Sequence, residues 1–396
     1  MIEDPLLPAA SVLLGDEAGE LLAAAVDFAG GRLESTRPLQ VQYYPGQSLA
    51  VLYDAVVEWP GRGRVGESLV AMTGDRRVPD GALLLEAEGL QVGLWRLPHD
   101  PALPGLAVAR GDGSDGQRRL LGDDVEGPVD ALTLSYRPAR RAVVRLGCPT
   151  HRVYVKVVRP KKAAGVRDIH ARLSAHLPSP RVRSADETLG LVVLEELPGE
   201  SLVAAIARGA KLPGPDDLLE LVDAIASAPT AAVPLVSARD DAVRLAGLLR
   251  RVLPDDAAVL DDVLARIGPE PEGLPATTIH GDLYDAQLLV DEGRITGVLD
   301  LDRAGPGQRS DDLARMLGHL DALAIFRPDV AAVATAYRDQ LWAGFAATTD
   351  ARDLAQRTAA VLVALATGPF AALQVGWEST TRAYLSGAAG WLDRAS

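Results

Sequence analysis

Two short strand patterns lie between Thr277 and Leu301, inside a C-terminal half that otherwise reads as helix. The first part of this tract is T-T-I-H-G-D-L-Y-D-A-Q, from Thr277 to Gln287. Leu288-Leu289-Val290 and Thr296 to Leu301 then flank the turn Asp291-Glu292-Gly293-Arg294. Strands joined by that turn would bring Gln287 and Asp300 together at the open ends of a hairpin. Together with the strand-rich first half, the tract gives an α+β order in which an embedded strand pair carries an acidic motif.

The rest of the chain bounds the partners of such a site. Its 396 residues exceed one typical core and favour two or three domains. With 48% apolar and 24% charged residues, the composition is that of a soluble globular protein. A net charge of −14, offset by no basic tail or face, argues against nucleic acid and anionic membranes. A neutral or cationic small molecule fits better. The single cysteine, Cys148, excludes an internal disulfide framework and a thiolate metal cluster. Met1-Ile2-Glu3-Asp4-Pro5 has no basic n-region, and no stretch approaches about 18 uninterrupted apolar residues, so a cytoplasmic location is expected.

Residues 18 to 30 predict a short helix, and 39 to 59 alternate as strands around Tyr44-Pro45-Gly46. Further strands are expected at 67 to 72, 82 to 86, 90 to 96 and Leu106 to Arg110. The polar, glycine-rich stretch Gly111 to Gly127 predicts a loop and a first domain boundary. Strands follow at Ala131 to Tyr136, Ala142 to Leu146 and Arg152 to Val158, then a helix at Ala164 to His176. Val41 to Leu52 (VQYYPGQSLAVL) and Leu134 to Arg145 (LSYRPARRAVVR) share a Tyr-x-Pro turn before an apolar strand. Duplication and convergent hairpin chemistry explain that echo equally well. After strands at Arg181 to Arg183 and Gly190 to Glu195 the pattern is helical to about 268 and again from Asp311-Asp312 onward, with interruptions at Pro328 and Gly368-Pro369.

Several residues stand where chemistry is expected. In Val153-Tyr154-Val155-Lys156-Val157-Val158, Lys156 points away from the three alternate valines, toward a cleft or, on an edge strand, toward solvent. Asp168 in the following helix is its candidate carboxylate partner, or a solvated first-turn residue near the helix dipole. Gly111 to Gly116 satisfies G-x-G-x-x-G literally, but its two aspartates would face a pyrophosphate, which makes it a turn. For an isolated H-x-D, a buried histidine and a capping aspartate are the plain alternative. The order of His280, Asp282, Gln287 and Asp300 changes that balance.

This order resembles the aminoglycoside phosphotransferase and choline kinase superfamily, whose signature is H-G-D-x-x-x-x-N followed by a metal-binding aspartate. The actinobacterial maltokinase-like branch is more similar still, because it carries glutamine where most members have asparagine. The resemblance covers about residue 130 to the C-terminus and implies a protein-kinase-like two-lobed fold, with a small β-rich lobe, a large helical lobe and an added N-terminal α/β cap. The implied borders are 1–125, 126–198 and 199–396. It implies that Asp282 orients the acceptor or takes its proton, that His280 supports the loop, and that Gln287 and Asp300 bind Mg²⁺. Asp312 would brace the loop, Lys156 would meet the phosphates of ATP, and the backbone around Glu196 and Leu197 would hold the adenine. The implied activity is ATP-dependent phosphorylation of a small-molecule hydroxyl, on a sugar or amino sugar. Gln374, Trp377 and Glu378 could wall the acceptor or simply pack on a terminal helix. An aminoglycoside-resistance kinase and a non-catalytic nucleotide-binding regulator are the alternatives.

Overall fold

A computed structural model describes residues 4–74, 78–87, 89–111, 115–122, 125–229 and 235–394. It comprises two compact units, one of Met1–Gly165, Val182–Glu196 and Phe370–Val375, the other of Val166–Arg181, Leu197–Pro369 and Gly376–Ser396.

The first unit opens with α1 (Ala9–Leu14) and α2 (Ala18–Phe28). The strands β1 (Arg32–Tyr44), β2 (Ser48–Trp59), β3 (Gly63–Thr73), β4 (Leu83–Ala87) and β5 (Leu90–Arg96) then form a sheet in the order β1-β2-β3-β5-β4. Next come α3 (Gly105–Arg110) and α4 (Asp115–Leu121), followed by β6 (Asp130–Arg137), β7 (Arg141–Gly147) and β8 (Arg152–Val158). After α5 (Pro160–Leu173), which continues into the second unit, β9 (Val182–Asp186) and β10 (Leu191–Glu195) complete a second sheet, β6-β7-β8-β10-β9. Leu106 to Arg110, expected as strand, is thus helical. Leu103, Leu106 and Ala109 recur at helical spacing and are all buried. The expected loop likewise contains α4, which buries Gln117 and Leu121, while Asp112 to Ser114 of the glycine pattern lie outside the described residues.

The two sheets share one topology, and the likeness extends to single atoms. Asp4-Pro5-Leu6-Leu7-Pro8 leads into α1 and Asp100-Pro101-Ala102-Leu103-Pro104 into α3. Each aspartate accepts from the backbone two residues on, at 3.1 Å from Leu6 N and 2.9 Å from Ala102 N. Each also reaches the first hairpin of its sheet. Asp4 Oδ2 accepts from Tyr43 Oη at 2.6 Å and Gly46 N at 2.8 Å. Asp100 Oδ2 accepts from Tyr136 Oη at 2.7 Å and Ala139 N at 2.8 Å. Gly46 and Ala139 occupy the same place in the Tyr-x-Pro turn and share a left-handed backbone, with φ of 66° and 55°. Convergent hairpins would account for the turns alone. Duplication accounts also for the leading Asp-Pro-x-Leu-Pro, the paired helices, the strand order and the buried carboxylate, so residues 4–96 and 100–195 are two copies of one design. The second copy differs by the insertion of α5 between its third and fourth strands.

The second unit continues from α5 and then from Leu197 through β11 (Glu200–Ser201), α6 (Leu202–Ala207), α7 (Pro215–Ser227), α8 (Ala238–Val252) and α9 (Ala257–Ile267). The embedded strands are β12 (Thr277–Ile279), β13 (Leu288–Asp291), β14 (Arg294–Val298) and β15 (Gly305–Gly307). Helices α10 (Arg309–Phe326), α11 (Ala331–Ala346), α12 (Ala351–Leu365), α13 (Gly368–Ala371) and α14 (Trp377–Arg394) follow. Among the described residues, side-chain caps start three helices of this unit: Ser201 on α6, Ser237 on α8 and Asp350 on α12. Strand β13 pairs with β11 and β14, and β12 with β15. Ala351–Ala371 is long and apolar enough to cross a membrane by length and composition, yet 67% of its most apolar window is buried in this fold. Helix α12 packs on α8, α10 and α14. It also carries Arg357, fully buried and hydrogen-bonded to Glu270, Asp311 and Asp353 at 2.6, 2.9 and 2.8 Å. Those carboxylates offset its charge where water is absent.

If the two aspartate clasps are equivalent, Asp4→Ala and Asp100→Ala each lower stability by about 1.5–3 kcal/mol, because each strands a tyrosine hydroxyl and a turn N–H. Urea unfolding measures both. Loss at one site with none at the other would contradict their equivalence.

Candidate active site

Beyond β12 the chain turns sharply through His280-Gly281-Asp282, and α10 holds that turn in place. The carboxylate of Asp312, 0% exposed, accepts from His280 N at 2.7 Å and Gly281 N at 2.9 Å. Burial pushes its proton affinity up, against the pull of His280 and the two N–H groups. Gly281 has φ of +74°, and a Cβ there would lie 2.5 Å from Leu235 Cδ1 and 3.0 Å from Arg303 O, so glycine is required.

His280 is equally buried. Its Nε2 donates to Leu299 O at 2.8 Å, while its Nδ1 accepts from Asp282 N at 3.2 Å. A carbonyl can only accept and a backbone N–H can only donate, which fixes the Nε2–H tautomer and occupies both ring nitrogens. His280 therefore shapes the turn that presents Asp282. Leu299 continues the chain of contacts by donating its N–H to Gln287 O at 2.8 Å, next to the Leu288–Val298 pair of β13 and β14. The hairpin thus sets Gln287 beside the strand end that carries Asp300. Asp300 has left-handed φ and ψ of 55° and 51°, an uncommon state for a residue with a side chain and one concentrated at functional sites.

Tyr284 lies in the field of these groups. Its hydroxyl interacts with the Gln287 side chain, and burial, then the charges of Asp282, Asp285 and Asp300, raise its proton affinity. Its ring stacks on His319 of α10, with centroids 4.1 Å apart and planes 21° from parallel. Burial lowers the His319 pKa to about 4, although Asp282 opposes the shift, so the imidazole is neutral at neutral pH. Asp285 is buried in the same turn, and burial raises it to about 7 against the backbone N–H groups of Asp285 and Ala286. Asp302 accepts from the fully buried His170 Nε2 of α5 at 3.1 Å. Sequence reasoning missed Tyr284, His319, His170 and Asp302. His319 carried a usable signal, since it stands seven residues after Asp312 on one face of a helix.

The other expected residues stand as follows. Lys156 lies on β8 between Val143 of β7 and Val192 of β10 and is 7% exposed, with Val153, Val155 and Val157 buried in the core on the opposite face. Asp168 is exposed and lies 2.8 Å from Arg167. Glu196, exposed, lies 3.5 Å from both Tyr154 Oη and Arg152. Leu197 is half-buried against Gly297, where a Cβ would come within 2.9 Å of its Cδ1. Gln374 follows α13 and is half-buried. Trp377 opens α14 half-buried, and the exposed Glu378 adds to the acidic field at Arg382, which pairs with Asp256 at 2.9 Å.

The Asp300 carboxylate and Gln287 amide are oxygen donors of the type Mg²⁺ takes alongside phosphate oxygens and water. Among the described residues no cluster of three or more His, Cys, Asp or Glu forms a metal cage. A pair of protein oxygens fits an ion that leaves its remaining positions to phosphates and solvent.

A model of the family described as "Phosphotransferase enzyme family" matches residues 138–349, more than half of the 396, a span that includes Lys156, Asp282, Gln287, Asp300 and Asp312. No curated protein matches the sequence. Among solved structures the chain is similar to a thermostable mutant of aminoglycoside phosphotransferase APH(4)-Ia in complex with ADP and hygromycin B, at 17% identity over 68% of this chain and 95% of that one, with a TM-score of 0.44. It is similar to macrolide 2'-phosphotransferase MphH from Brachybacterium faecium at 19% identity over 72% and 97%, with a TM-score of 0.41. It is also similar to a choline/ethanolamine kinase family protein from Mesorhizobium loti at 15% identity over 69% and 90%, with a TM-score of 0.47. On the match that spans its lysine strand and its acidic turn, the chain belongs to the phosphotransferase enzyme family.

Proposed function

We propose that this enzyme transfers the γ-phosphoryl group of ATP to a hydroxyl of a small molecule, of the sugar or amino-sugar class. The observation that carries the reading is the turn that Asp312 braces through His280 N and Gly281 N to present Asp282, with Gln287 O bonded to Leu299 N beside Asp300. Such a transition state is loose and charge-rich, so catalysis consists mainly of positioning and electrostatic stabilisation. Asp282 orients the acceptor hydroxyl and attracts its proton. Lys156 neutralises phosphate charge, and the backbone around Glu196 and Leu197 holds the base. Gln287 and Asp300 would hold Mg²⁺, which supplies charge neutralisation to the triphosphate when bound.

In this reading residues 1–125 form a cap, 126–198 serve the nucleotide and 199–396 serve the acceptor, with Gln374, Trp377 and Glu378 contributing to the acceptor wall. Gln287 in place of asparagine supports the maltokinase-like branch. The net charge of −14 supports a neutral or cationic acceptor. The direct test is ATP consumption over a panel of sugars, amino sugars, aminoglycosides and choline-like alcohols. A sugar or amino sugar is expected to stimulate turnover most, and stimulation by none would refute the proposal.

Two substitutions divide the roles. Lys156→Ala is expected to weaken ATP use at least tenfold while acceptor affinity holds, since the lost charge meets only the nucleotide. A defect confined to the acceptor would relocate this lysine. Asp300→Ala is expected to abolish Mg²⁺-supported turnover in a folded protein, and turnover unchanged across a Mg²⁺ titration would remove it from the ligand set.

A further inference from the structure

The duplication has a consequence for the first copy. In the second copy, Ser135, Val143 and Lys156 stand side by side across β6, β7 and β8. In the first copy the equivalent row across β1, β2 and β3 is Gln42, Ala50 and Met72. Superposing the two Tyr-x-Pro turns thus sets methionine at the place of the lysine. If Lys156 faces the nucleotide, as the proposed function holds, the surface around Met72 is the first copy's version of the same ligand face.

That surface is only partly filled: Ala50 and Met72 are buried in a core cluster that includes Leu103 and Leu106 of the second copy. A cavity of about 860 Å³ opens on it, lined from the first sheet by Gln42, Tyr44, Ser48, Ala50 and Met72. Its cations come from the second copy instead, through Arg140, Arg159 and Lys161, with Asp80 as the carboxylate in the lining. Arg140 donates to Tyr44 Oη and lies 5.6 Å over the tyrosine ring. Among the described residues Arg159 and Lys161 form no ion pair. Three cations facing one carboxylate, in a chain of net charge −14, are a local reversal of sign. Such a reversal inside a concave site selects anions.

We propose that the first copy keeps its ligand face as a second small-molecule site, which takes a phosphate ester of a hydroxylated molecule. Arg159 and Lys161 meet the phosphate, while Gln42 and Ser48 offer amide and hydroxyl groups to the body of the ligand. The cavity is far larger than a phosphate ion, which is why an ester is assigned.

The test is calorimetry on the full chain with ADP and Mg²⁺ saturating, so that the Lys156 face is occupied. Glucose 6-phosphate, inorganic phosphate and glucose are the probes. Glucose 6-phosphate is expected to bind more tightly than inorganic phosphate, and glucose not at all. Arg159→Ala/Lys161→Ala, at two exposed positions outside the phosphotransfer machinery, should weaken the ester at least tenfold and leave basal turnover unchanged. Lys156→Ala should leave ester binding intact, which separates this site from the proposed nucleotide site whether or not transfer is ever observed. Absence of ester binding, binding indifferent to the double substitution, or equal affinity for inorganic phosphate would each overturn the proposal.

Discussion

A carboxylate with no access to water holds the acidic turn together. Asp312 stands in the first turn of α10 and spends both oxygens on the consecutive N–H groups of His280 and Gly281. Burying that charge is costly, and only donors fixed in space offset it. The arrangement therefore couples the start of a helix to the shape of a loop. Once His280 is held, its ring reaches Leu299 with one nitrogen and Asp282 N with the other. Leu299 in turn fixes Gln287. Five contacts thus set the relative positions of Asp282 and Gln287, and neighbouring Asp311 turns to Arg357 instead.

The same device, a buried aspartate binding a turn, recurs in the strand-rich unit and exposes its history. Asp4 and Asp100 clasp equivalent hairpins through equivalent atoms. In the second copy the clasp holds Ala139 in a left-handed conformation that glycine adopts in the first. A side chain there is sterically costly, and the Asp100 bond helps to retain it. Duplication with divergence sets Met72 and Lys156 at equivalent register positions of the two sheets.

Local patterns that match their tertiary role were legible in the sequence. The alternating strands of both sheets, the helical stretches after Asp311-Asp312 and the Gln287–Asp300 hairpin all carried their own periodicity or turn chemistry. What escaped was set by distant partners. Gly305-Pro306-Gly307 pairs with β12, and the close approach needs a glycine, because a Cβ at Gly307 would come within 2.4 Å of Ile279 Cδ1. Leu106 to Arg110 has apolar content that suits strand or helix, and burial against β6, β7 and β8 decides for helix. The echo at the two Tyr-x-Pro turns was visible, but its meaning depended on Asp4 and Asp100, which lie 39 and 36 residues before their tyrosines. Tyr284–His319 and His170–Asp302 likewise join residues whose spacing carries no local signature.

The central claim is that this braced turn presents Asp282 to an acceptor hydroxyl. Single-turnover transfer by Asp282→Asn, with ATP–Mg²⁺ affinity followed in parallel, tests it most directly, because the substitution keeps size and hydrogen-bonding shape while removing the charge. Transfer should fall by roughly two or more orders of magnitude, the scale of a positioned general base, with nucleotide affinity unchanged. Transfer retained near the wild-type rate would contradict the account.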